Sequence, residues 1–89
     1  MRHYLLESFL PDHTTGADIA AACKAASEEG QAVLRHLLVM PEAELCLFVV
    51  EARTPEIACV LVRAAGLSVD CEPTAIAVVD VPVAVGADA

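Results

Sequence analysis

Three ionisable side chains interrupt segments that are otherwise apolar: Glu7, His36 and Glu51. An ionised group needs polar partners once water is removed, so residues of this kind are candidates for function. An imidazole with one or two carboxylates suits a borderline divalent ion such as nickel or zinc. The same set suits proton transfer by a general base and an orienting acid. The alternative is that these residues form an exposed ion pair at the edge of the sheet, with Arg35 or Arg53, and have no binding or catalytic role.

Two further histidines flank the first of these segments. His3 lies near its start, and His13 follows Asp12 in the loop after it. A loop histidine is usually solvated, but His13 would complete a metal site at this end if Glu7 points toward it. The predicted metal ligands are therefore His36, Glu7, Glu51 and His13, and the alternative catalytic set is His36, Glu7 and Glu51.

The elements that must position these residues follow the order βαββαβ. Apolar, β-branched and aromatic residues predict strands at 2–10, 33–40, 45–51 and 74–81. Capping residues and helical periodicity predict two helices, which end at Gly30 and Gly66. This order is typical of a ferredoxin-like plait, an α+β fold with a four-stranded antiparallel sheet and two helices on one face.

The sheet is predicted to have apolar residues on both faces. Side chains alternate along a strand, so an even-length connection at 41–44 fixes which residues share a face. One face is predicted to carry Leu34, His36, Leu38, Leu47, Val49 and Glu51, and the other Val33, Arg35, Leu37, Val39, Cys46, Phe48 and Val50. The helices cover one face only. We therefore expect a homodimer packed through the open sheet face, with a metal ion or a small apolar ligand as a further partner.

Composition excludes several classes of function. The chain has 89 residues, which predicts one domain at 1–82 and a short flexible tail at 83–89. Thirteen acidic and five basic residues give a net charge of -8, which argues against a nucleic-acid partner because the phosphate backbone is also negative. Apolar runs stop before the roughly 18 residues that a membrane helix needs. Glu7 interrupts the first of them too early for a secretion signal, so we expect a cytoplasmic protein.

The remaining motifs point away from cofactors other than a metal. The four cysteines, at 23, 46, 59 and 71, contain no C-x-x-C pair, so we expect reduced structural thiols. The sequence contains no P-loop and no G-x-G-x-x-G, so no nucleotide cofactor is expected. G-x-S-x-G and H-E-x-x-H are also missing.

Five segments carry a family resemblance: 4–11, 33–37, 46–52, 54–56 and 63–67. In this order they resemble a family of small bacterial ferredoxin-like domains of unknown function that are described as nickel-responsive or nickel-binding. The resemblance covers most of residues 3–81. It implies an α/β plait, a dimer and a divalent-metal site, and it implies no established reaction.

Two functions are consistent with these patterns. The first is a small dimeric protein that binds a divalent metal ion of the nickel type or a small ligand. The alternative is a cofactor-independent enzyme, similar to an isomerase, a cyclase or a monooxygenase, in which the His/Glu set moves protons in the cavity of a dimeric α/β barrel. Analogy of fold is the support for this alternative.

Overall fold

The computed structural model describes residues 1–69, 72–79 and 81–82. Within them the chain forms four strands and two α-helices: β1 (Arg2–Phe9), α1 (Gly16–Glu29), β2 (Val33–Met40), β3 (Leu45–Ala52), α2 (Pro55–Ala64) and β4 (Thr74–Ile76). The strands make one antiparallel sheet in the order β2-β3-β1-β4. This mixed α+β arrangement is consistent with the predicted ferredoxin-like plait. The predicted tail at 83–89 lies outside the described residues.

Both helices begin at side-chain caps that the sequence predicted. The Thr15 hydroxyl accepts a hydrogen bond from the backbone N–H of Asp18, and the Asp18 carboxylate accepts one from the backbone N–H of Thr15. Thr54 caps α2 in the same way by accepting from the N–H of Ile57. These bonds satisfy backbone donors that have no partner inside the helix. Gly66 follows α2 with φ +86°, a conformation that favours glycine.

The hydrophobic core lies between the two helices and one face of the sheet. Its largest fully buried side chains are Phe48, Val50, Val62, Cys23 and Cys46. Tyr4 and Leu6 of β1 and Leu61 of α2 complete the contact between layers. In the described residues, the opposite face of the sheet has no helix over it. We call this second surface the open face.

The predicted division of residues between the two faces of the sheet is wrong at the start of β2, because this strand contains a bulge. The register shifts between Leu34, which pairs with Val50, and His36, which pairs with Val49. Leu34 therefore lies on the helix side and Val33 on the open face, the reverse of the prediction. His36 and Leu38 lie on the open face as predicted. The extra residue at the bulge is Arg35, and strict alternation cannot anticipate such an insertion.

The last strand is shorter than the predicted 74–81. Ile76 pairs with His3, Ala75 with Tyr4 and Thr74 with Leu5. In this antiparallel register Ala77 would lie opposite Arg2, the first residue of β1. Beyond that point β1 provides no partner for the chain that follows. Val78 and Val79 are β-branched but have no strand beside them in the described register. None of the described helices is long and apolar enough to cross a membrane.

Candidate functional site

The open face carries the polar residues that the sequence singled out. Glu7 lies opposite Leu47, and Glu51 lies opposite His3 in the pairing of β1 with β3. His36 lies opposite Val49 on the other side of β3. Because these positions alternate with buried ones, Glu7, His36 and Glu51 all lie on the face that the helices leave open.

These residues do not converge on one point within a single chain. Because Glu7 lies opposite Leu47, it is separated from Glu51 by four residue steps, about 13 Å along a strand. His13 lies in the exposed turn after β1. In the part of the chain that the structure describes, no three His, Cys, Asp or Glu side chains form a group that could hold a metal ion. A metal bound by the predicted ligands would need more than one chain.

Glu51 instead has two close partners, Arg35 and His3. We call these three residues the Glu51 cluster. The Nε of Arg35 donates a hydrogen bond of 3.1 Å to Oε2 of Glu51. Nε2 of His3 lies 3.2 Å from the same oxygen. The side chains of Glu51, His3 and Arg35 are 21%, 29% and 50% exposed, so the cluster is partly shielded and still open to a ligand.

The backbone explains how the Glu51 cluster forms. Val33 is the register partner of Glu51 on β2, and the bulge follows directly after Leu34. Arg35 at the bulge reaches Glu51, which a regular β2 would prevent by aiming that side chain at the helices. The sequence indicated Arg35 or Arg53 as an ion-pair partner, but it did not indicate that His3 contacts Glu51. The signal for His3 was its even spacing from Leu5 and Glu7 on the same strand.

Electrostatics keep Glu51 ionised. The hydrogen bond from Arg35 is the main cause that lowers the pKa of Glu51 below its ordinary value. The charges of Arg35 and His3 act in the same direction, and partial burial opposes them. A lowered carboxyl pKa contributes stability that is present above the pKa of the unfolded chain and is lost as pH falls through the folded pKa. The cluster therefore holds an anion beside an imidazole at neutral pH.

Removing the arginine is expected to reverse this shift. In Arg35→Met the pKa of Glu51 should rise toward the ordinary value of a glutamate, because the main cause of the lowering is gone. Carboxyl-detected NMR titration of wild type and variant measures this directly. Arg53→Met is the matched control, since Arg53 is exposed and does not contribute to the lowering. An unchanged Glu51 pKa in Arg35→Met would contradict the described geometry.

The three described cysteines and a groove along α2 lie away from this cluster. Burial raises the pKa of the Cys23 and Cys46 thiols, which makes them poor nucleophiles and metal ligands. Cys23, Cys46 and Cys59 are free and buried, as predicted for structural thiols; Cys71 lies outside the described residues. A groove of about 570 Å³ runs along α2, and its lining includes no residue of the Glu51 cluster.

Comparison with known proteins supports the fold and not a function. No protein-family model matches the chain, and no curated protein matches it. Among solved structures, the chain is similar to SCO4226 from Streptomyces coelicolor A3(2). The TM-score is 0.72 at 14% sequence identity, and the match covers 88% of this chain and 99% of that one. At this identity the likeness shows a shared α+β fold.

Proposed function

We propose that this protein is a small homodimeric binding module that holds a divalent metal ion of the nickel type, or a small ligand, on its open sheet face. The observation that carries the proposal is the contact of Glu51 with Arg35 and His3 on a face that is otherwise largely apolar. A polar cluster of fixed geometry within an apolar surface is the usual composition of a ligand site.

The donor set suits a borderline divalent ion. Nε2 of His3 lies beside the Glu51 carboxylate, which leaves Nδ1 as the nitrogen available to a ligand. A carboxylate that orients the second ring nitrogen is a common support for metal-binding histidines. Arg35 and His3 both approach Oε2 of Glu51, so Oε1 remains as an oxygen donor. The net charge of -8 also raises the local concentration of cations.

Thermal unfolding with added nickel tests this function. A ligand at 100 times its Kd adds about 2.7 kcal/mol to the free energy of unfolding by mass action, so nickel should raise the Tm of the wild type. Glu51→Gln should lose this increase. Glu44→Gln, which changes an exposed carboxylate in the turn before β3, should keep it. No increase in wild type, or an equal increase in Glu51→Gln, would contradict metal binding at this cluster.

A second candidate is proton transfer on an organic substrate. The observation that favours it is the sequence of contacts from Arg35 to Glu51 to His3, since a fixed carboxylate beside an imidazole orients a general base. This candidate predicts an organic molecule bound to the protein as purified and no effect of nickel on the Tm. Mass spectrometry of the native and the denatured protein separates the two candidates, because an organic ligand and a metal ion differ in mass.

A further inference from the structure

A pocket of about 340 Å³ lies at the end of the sheet where β1 and β2 begin and β3 ends. Its lining residues are Met1, Gly30, Gln31, Ala32, Val33 and Arg53. One of these lining residues is an arginine, and none of them is acidic. Because the whole chain has thirteen acidic residues and only five basic ones, this local surplus of positive charge distinguishes the pocket and favours an anion over a cation.

The register of the sheet explains why distant segments meet at this pocket. Glu51 on β3 lies opposite Val33 on β2. Arg53 and Gln31 each lie two positions beyond this pair along the chain, and alternation turns them to the same side as the pair. This is consistent with both residues lining one pocket, which continues the open face past the end of β3.

Arg53 provides an exposed guanidinium that has no ion-pair partner among the described side chains. Glu51, two positions before it, is in contact with Arg35 and His3. Glu56, three positions after it, lines the groove along α2 and not this pocket. The positive charge of Arg53 is therefore available to a ligand from solution.

Backbone donors at the same pocket add to this preference. Gln31 and Ala32 lie between the end of α1 and the start of β2. Their N–H groups donate to no backbone carbonyl in the part of the chain that the structure describes. Donors of this kind are satisfied by water or by a ligand. An anion that replaces the water would gain hydrogen bonds from these groups and from the guanidinium together.

We propose that this pocket binds a small organic carboxylate with an apolar body. The guanidinium of Arg53 is a planar fork of N–H donors that matches the two oxygens of a carboxylate. Met1, Ala32 and Val33 provide an apolar wall for the rest of the molecule. The volume is near the lower end of the range of about 300–1,000 Å³ that is typical of ligand pockets, which suits an acid of few carbon atoms.

The groove along α2 is the competing place for such a ligand, because it also contains an arginine. Arg63 lines that groove together with Glu56 and Glu72. Two carboxylates on the same lining offset the charge of one guanidinium and repel an organic anion. The pocket with Arg53 is therefore favoured, and Arg63 provides a matched control.

NMR titration of the metal-free protein, labelled with ¹⁵N, tests the site with hexanoate as the probe. The backbone signals of Gln31, Ala32 and Arg53 should shift and saturate together. 1-Hexanol has a similar chain without the charge, and it should bind at least about 10-fold more weakly, because hydrogen bonds to a charged group are the stronger ones. Inorganic phosphate that binds more tightly than hexanoate would overturn the preference for a carboxylate with an apolar body.

Substitution of each arginine distinguishes the two places. Arg53→Met should weaken hexanoate binding about 10-fold to 100-fold, whereas Arg63→Met should bind hexanoate as wild type does. Both residues are exposed, so both variants should fold, and circular dichroism checks this. Unchanged hexanoate binding in Arg53→Met, or shifts confined to the groove along α2 and lost in Arg63→Met, would overturn the inference.

This site is separate from the metal site proposed at the Glu51 cluster, since no residue of that cluster lines the pocket. Arg53→Met should therefore keep the rise in Tm that nickel produces in the wild type. A protein that binds hexanoate at Arg53 but shows no effect of nickel would support this inference and contradict the metal function. A protein that responds to nickel but shows no hexanoate shifts at Gln31, Ala32 and Arg53 would overturn this inference alone.

Discussion

Replacing Phe48 with alanine is expected to lower the free energy of unfolding by about 3–5 kcal/mol. Phe48 has no exposed surface and lies at the centre of the sheet, where it pairs with Leu6 on one side and Leu37 on the other. The loss combines the apolar surface removed from the core with the cavity that the ring leaves behind. A small domain has a total stability of about 5–15 kcal/mol, so the variant should lose a large fraction of it.

Urea unfolding followed by circular dichroism measures the change. Val60→Ala is the control, because Val60 is 63% exposed on α2, and surface substitutions usually change stability by less than about 0.5 kcal/mol. A loss of under 1 kcal/mol in Phe48→Ala would show that the two layers do not pack around this ring.

Replacing His3 with alanine is expected to weaken nickel binding by at least about 10-fold to 100-fold. Loss of a residue that only supports a ligand weakens metal affinity by about 10-fold to 100-fold, and loss of a ligand itself should cost at least as much. Isothermal titration calorimetry of the metal-free protein measures this change. His3 is partly exposed, so the variant should retain its fold and its dimer.

Two other histidines provide the controls for this prediction. His13 lies in the exposed turn after β1, and His13→Ala should bind nickel as wild type does. His36 is an exposed residue of the open face, opposite Val49, and His36→Ala should lose far less affinity than His3→Ala. The reverse order, with His36→Ala losing most of the binding, would favour the ligand set predicted from the sequence over the Glu51 cluster.

Local signals in the sequence were sufficient to predict the order of the strands and helices. Thr15 with Asp18, and Thr54 with Pro55, are capping patterns whose hydrogen bonds depend on residues three positions apart or fewer. Alternation along β3 also divided its residues correctly between the two faces, because that strand is not interrupted. Where only neighbouring residues decide the structure, a single sequence is informative.

The site depended on contacts that alternation does not determine. The bulge at Arg35 changes the face of Val33 and Leu34 and brings a guanidinium to Glu51. His3 meets Glu51 because of the register between β1 and β3, which tertiary packing sets. The length of β4 likewise depends on where β1 begins, not on the β-branched residues that follow Ile76. Pairing between distant strands therefore accounts for the differences from the prediction.

Native mass spectrometry of the protein as purified, before any chelator is added, tests the central claim most directly. We expect a particle with the mass of two chains, about twice 9.3 kDa, plus bound divalent metal. Nickel added to metal-free protein should restore the same species. Monomers that bind no metal at concentrations well above micromolar would contradict both the dimer and the metal site at the Glu51 cluster.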